Sequence, residues 1–150
     1  MKGASSKIAL KLPLFSRFQQ CQESGDPLSS NKFLSKTELY DSILDNIVNI
    51  LEARHGIKLS DEPPDLTVIE FGIADITHGS DKNFEANLQK HITHSVEAFE
   101  PRLQDVIIKI DRTILDAIEI SIKACIVKEI YKDVTFLLKI KHSGLVTVSD

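Results

Sequence analysis

The hydrophobic period of this chain changes once, at Pro101. Upstream, apolar residues recur every three or four positions. Downstream, they recur every second position, three times over. Val106, Ile108 and Ile110 alternate with Asp105, Ile107, Lys109 and Asp111. Ile118, Ile120, Ile122, Ala124 and Ile126 alternate with Glu119, Ser121, Lys123, Cys125 and Val127. Val134, Phe136, Leu138 and Ile140 alternate with Thr135, Leu137, Lys139 and Lys141. That is the signature of an antiparallel sheet with one buried and one wet face. His142-Ser143-Gly144 reads as a hairpin turn into a last short strand, Leu145 to Val148.

The upstream half carries two helices. Ser35-Lys36-Thr37-Glu38 is a capping box. It opens a helix whose Leu39, Ile43, Ile47, Ile50 and Leu51 form an apolar stripe. Arg54 and His55 are placed in its last turn, where the helix dipole favours positive charge, and Gly56 is read as its left-handed end. A second helix starts near Asp81 or Asn83 and aligns Phe84, Leu88, Ile92, Val96 and Phe99. Pro101 forces Glu100 out of the helical region, so this helix stops at about Phe99. Between the helices, residues 57–82 read as irregular, with Pro63-Pro64 excluding helix and a short turn of helix over Leu66 to Phe71. Both stripes and the sheet must bury their apolar faces. The predicted architecture is therefore α+β and two-layered, with two main helices on one face of a small antiparallel or mixed sheet.

The length of 150 residues favours one folded domain. Residues 1–32 are rich in Ser, Gln, Lys and Gly and read as a flexible N-terminal arm, leaving 33–150 as the domain. The net charge of −4 lacks the clustered basic excess that nucleic acid or an anionic membrane surface requires. No apolar run approaches the ~20 residues of a membrane span or the ~7–15 of a signal-peptide core. Cys21 and Cys125 make neither a disulfide framework nor a metal quartet. A cytoplasmic protein with free thiols is expected.

Candidate chemistry is sparse. His91 and His94 share a helix face, but no third ligand accompanies them and no Glu stands between them as a zinc-protease motif needs. They are expected to be solvated, with no metal and no cofactor. No nucleophile elbow and no phosphate-cradling glycine loop is present. Asp65, Glu70, Asp75 and Glu100 are acidic, yet no spacing selects a glycosidase pair among them. The chain is expected not to be an enzyme.

Surface features carry more. Leu145, Val146, Thr147 and Val148 end the chain in β-prone residues with no Pro and no Lys, a candidate edge for strand addition by another chain. At the helix-to-sheet corner, Glu100 and Arg102 lie two apart on extended backbone and point the same way, with Pro101 fixing the chain between them. The guanidinium is a planar fork suited to a partner's carboxylate or carbonyls.

Phe99-Glu100-Pro101-Arg102-Leu103 closely resembles the Glu-Pro-Arg motif of the TssE and phage baseplate wedge family of contractile injection systems. Phe71-Gly72-Ile73-Ala74-Asp75-Ile76 resembles that family's aromatic-Gly-aliphatic-Pro-Asp-Leu segment. Ala53-Arg54-His55-Gly56 is similar to its Thr-Arg-x-Gly helix end, and Leu14-Phe15-Ser16-Arg17-Phe18 to its N-terminal Leu-Phe-x-Arg-Leu element. Ala74 and Ala53 depart from the usual Pro and Thr. The resemblance covers about residues 12–148. It leaves open type VI secretion, a phage tail or an extracellular contractile system.

The resemblance implies a structural baseplate subunit in a bacterial cytoplasm that initiates the contractile sheath. Glu100, Pro101 and Arg102 would contact baseplate wedge proteins. The Leu145–Val148 edge would take strands from sheath subunits, and Gly56, Gly72 and Asp75 would be structural. On that reading Arg102→Ala leaves the domain folded but abolishes co-purification with wedge subunits. The alternatives are a peptidoglycan-cleaving muramidase and a regulatory binding protein on the same fold.

Overall fold

The computed structural model describes residues 36–58, 71–75, 83–113, 117–127, 133–141 and 143–149. The N-terminal arm, Cys21, Ser35 of the capping box, the Leu66–Glu70 stretch, His78, Asp81 and His142 lie outside the described residues. The chain divides into two compact units, Met1–Asn46 and Ile47–Asp150.

The division falls within the first helix, α1, Lys36–Glu52. Its stripe is buried as the spacing predicts: Leu39 and Ile43 in the first unit, Ile47, Ile50 and Leu51 in the second. Positions off the stripe, such as Asp41, Asp45 and Asn49, are exposed.

The second unit holds the remaining elements. These are β1 (Arg54–Lys58), β2 (Ile73–Asp75), α2 (Phe84–Phe99), β3 (Leu103–Thr113), β4 (Ala117–Ile126), β5 (Asp133–Lys141) and β6 (Val146–Val148). The class is α+β, with a four-stranded antiparallel sheet in the order β3-β4-β5-β6. Helix α2 lies against β3 and β2. It buries Phe84, Leu88, Ile92 and Val96 along the predicted stripe. Ile108, Ile120, Ile122, Phe136, Leu138 and Ile140 are almost fully buried on one face of the sheet. The other face is wet: Glu119 and Lys139, directly opposite in the β4–β5 register, form an ion pair at 2.8 Å.

Two features differ from the sequence reading. Helix α1 ends at Glu52, so Arg54, His55 and Gly56 belong to β1 and Gly56 is not the residue that terminates the helix. Part of the stretch read as irregular is a short parallel pair, β1 with β2. Parallel pairing between distant segments has no local period to announce it.

Strand β3 also contains a bulge between Gln104 and Ile107, where the β4 register shifts. Asp105 sits there with φ +54°. The extra residue lets Leu103 and Val106, three apart, both face inward. At the other end, Gly144 closes a three-residue hairpin with φ +86°. Its N–H donates to the Lys141 carbonyl at 2.8 Å, and the Lys141 N–H donates to the Leu145 carbonyl at 2.9 Å.

Candidate functional site

The corner is built by the proline. Helix α2 stops at Phe99, while the Glu100 N–H still donates to the Val96 carbonyl at 2.8 Å. The chain then turns, and the Arg102 carbonyl accepts from the Val127 N–H at 2.8 Å, already in phase with the β3–β4 ladder. Glu100 and Arg102 do point the same way, but inward. Their exposures are 0% and 5%. The Arg102 Nε donates to Glu100 Oε1 at 2.6 Å and its Nη2 to Oε2 at 2.5 Å. The Arg102 backbone N–H also donates to Oε1, at 3.2 Å.

This corrects the expectation of a charged corner offered to solvent. A planar fork matched to a carboxylate two residues away satisfies both charges locally, which is what lets them be buried. Pro101, between them, is the exposed member of the motif.

The neighbouring segment resembling the aromatic-Gly motif packs close by. Phe71 and Phe99 meet with ring centroids 5.0 Å apart. Gly72 has φ +118°, and a Cβ there would lie 2.6 Å from the Ala53 carbonyl oxygen. That carbonyl accepts from the Ile73 N–H at 3.1 Å, so only a glycine lets β2 approach the end of α1 so closely. Arg54, from β1, donates through Nη1 to the carbonyls of Leu51 and Ala53. Its positive charge thus meets the helix terminus although the residue lies outside the helix. Asp75 is the last residue of β2, in register with Lys58.

The C-terminal edge follows from the ladder's phase. Leu145 accepts from Lys141, and Ser149 donates to the Leu137 carbonyl at 2.8 Å. Leu145, Thr147 and Ser149 therefore direct their backbone groups at β5, while Val146 and Val148 direct theirs outward. Among the described residues no strand lies beyond β6. The Val146 side chain is buried, Thr147 is half-buried, and Leu145 and Val148 are 51% and 52% exposed.

The edge is shorter than its sequence suggests, and it is partly occupied. The outward N–H of Val146 donates to Glu52 Oε1 at 3.1 Å. Glu52 escaped the sequence reading because nothing local marks a residue that bonds to a strand 94 positions away.

Two other sequence candidates resolve differently. His91 is buried rather than solvated, and His94 is half-buried. Among the described residues no group of three or more His, Cys, Asp or Glu could hold a metal ion, and no helix is long and apolar enough to cross a membrane. Cys125, on the wet face, donates to Asp133 Oδ1 at 3.2 Å. That hydrogen bond, followed by slight desolvation and the charges of Asp133 and Asp105, raises the thiol above its ordinary range. No protein-family model matches the sequence, and no curated protein does.

Proposed function

We propose that this chain is a structural, non-catalytic subunit of a bacterial contractile injection machine's baseplate, as its resemblance to the TssE and phage wedge family implies. It takes an extended segment of a sheath subunit onto the outer side of β6. It works in the cytoplasm and meets wedge proteins at the corner, where the exposed Pro101 is presented by the buried Glu100–Arg102 pair. The observation that carries the reading is the outward N–H of Val148 and the outward carbonyls of Val146 and Val148, beside the Val146 N–H already bonded to Glu52, on a terminal strand with no neighbouring strand among the described residues. An incoming strand gains main-chain hydrogen bonds there, and the exposed Leu145 and Val148 offer it apolar contact.

The test separates pairing from folding. Val148→Pro removes one outward N–H and leaves the β5–β6 ladder untouched, because edge strands tolerate proline on the solvent side. Co-expressed with sheath and wedge subunits, Val148→Pro should lose sheath co-purification and keep its circular dichroism and unfolding midpoint. Val148→Thr should retain both. Sheath capture by the proline variant at wild-type level would overturn the reading.

A further inference from the structure

The sheet has a second terminal strand, and it is the longer one. Strand β3 runs for 11 residues and, among the described residues, pairs with β4 alone. The bond between Val127 and Arg102 sets the phase of β4, and β4 pairs with β5 without a register shift. Residues 107, 109, 111 and 113 therefore bond to β4, whereas Ile108, Ile110 and Arg112 direct their N–H and C=O outward. Beyond the bulge this leaves a regular open edge.

The wet face beside that edge carries a charge left without its complement. Asp111 stands directly opposite Glu119, a like-charged cross-strand pair, which is unfavourable. Glu119 has Lys139 on its other side at 2.8 Å. Asp111 has no ion pair among the described residues, and its other side is the open edge. Two residues away on the same face, Lys109 also looks out on that edge, opposite uncharged Ser121. Ile107, next on this face, is 57% exposed.

We infer that β3 is a self-complementary edge, and that its occupant is a second copy of this chain, paired antiparallel about Ile110. A two-fold axis at Ile110 joins outward residue to outward residue: Ile110 to Ile110, and Ile108 to Arg112 of the second copy. In that register Lys109 falls opposite Asp111 of the second copy, and Asp111 opposite its Lys109. These are non-hydrogen-bonded positions, where side chains stand closest. The row across the wet face then reads Lys109 of the second copy, Asp111, Glu119, Lys139, and both carboxylates have a cation beside them. Sliding the second strand by two residues sets Lys109 against Lys109 or Asp111 against Asp111, so charge selects one register. A lysine on an edge ordinarily repels a second copy; Asp111 two residues on converts that repulsion into attraction. The inference is independent of what β6 binds.

Sedimentation equilibrium of the full chain tests it. The wild-type chain should show a concentration-dependent dimer that weakens with salt. Lys109→Asp and Asp111→Lys should each raise the dissociation constant about tenfold or more, and the double reversal should restore it. Both positions are exposed, so circular dichroism should be unchanged in all three. Val148→Pro should leave the dimer intact, which separates this edge from β6. A chain that stays monomeric to about 1 mM, a dimer indifferent to either single reversal, or a dimer lost with Val148→Pro would each overturn the proposal.

Discussion

At the scale of single residues, the decisive pair is Glu100 and Arg102. The motif places two opposite charges two positions apart, and their burial at 0% and 5% makes each the other's principal solvent. Removing one member takes from the other the two-pronged partner that offsets its burial, at a cost of about 3–5 kcal/mol. Arg102→Ala should therefore not leave the domain folded as wild type. Its urea midpoint should drop sharply, and Arg102→Lys should recover little, because an ammonium cannot reproduce the two-pronged contact at 2.6 and 2.5 Å. Glu100→Gln combined with Arg102→Met should be milder than either single loss. Equal midpoints for Arg102→Ala and wild type in urea denaturation would show that the pair contributes nothing. Loss of partner binding in an Arg102 variant thus says little about an interface unless folding is measured alongside.

At the scale of elements, the bulge in β3 governs register. Side chains alternate faces, so moving a strand by one residue exchanges its buried and wet sets. Asp105 is the inserted residue that keeps Leu103 and Val106 inward together. Deleting Asp105 should force a choice between burying Leu103 and keeping Arg102 in phase with Val127. The expected outcome is loss of cooperative thermal unfolding, whereas Asp105→Gly, which keeps the count and suits a positive φ, should unfold as sharply as wild type. A deletion variant with a wild-type calorimetric transition would refute this account. The spacing of three between Leu103 and Val106 was the visible sign of the bulge, in a stretch otherwise of period two.

Across the molecule, protection should follow the position of a strand in the sheet rather than side-chain burial. Strand β4 is bonded on both sides and β5 faces it along its whole length, so amides such as those of Ile120, Ile122 and Leu138 should be among the slowest to exchange. In dilute solution Ile108 should exchange much faster, although its side chain is 1% exposed, because its N–H faces the open edge of β3. Val148 should be fast and Val146 slower, through its bond to Glu52. Hydrogen exchange read residue by residue checks each of these six amides. Uniform protection along β3 in the dilute monomer would contradict the outward phase assigned to Ile108, Ile110 and Arg112.

The sequence alone determined the two helices, the strands of the antiparallel sheet and the apolar faces of both. The stripes of both helices, the three alternating strands, the stop at Pro101 and the turn at Gly144 were all legible. Each is a local period or a local backbone preference, set by geometry within a few residues. The tertiary structure decided what depends on closing distant segments together. It turned the Glu100–Arg102 pair inward and drew Arg54, His55 and Gly56 into a strand parallel to Ile73–Asp75. It also laid Glu52 on the amide of Val146. Whether a charge is buried, or a backbone edge is left open, depends on which neighbours the folded chain brings to it, and no period along the chain encodes that.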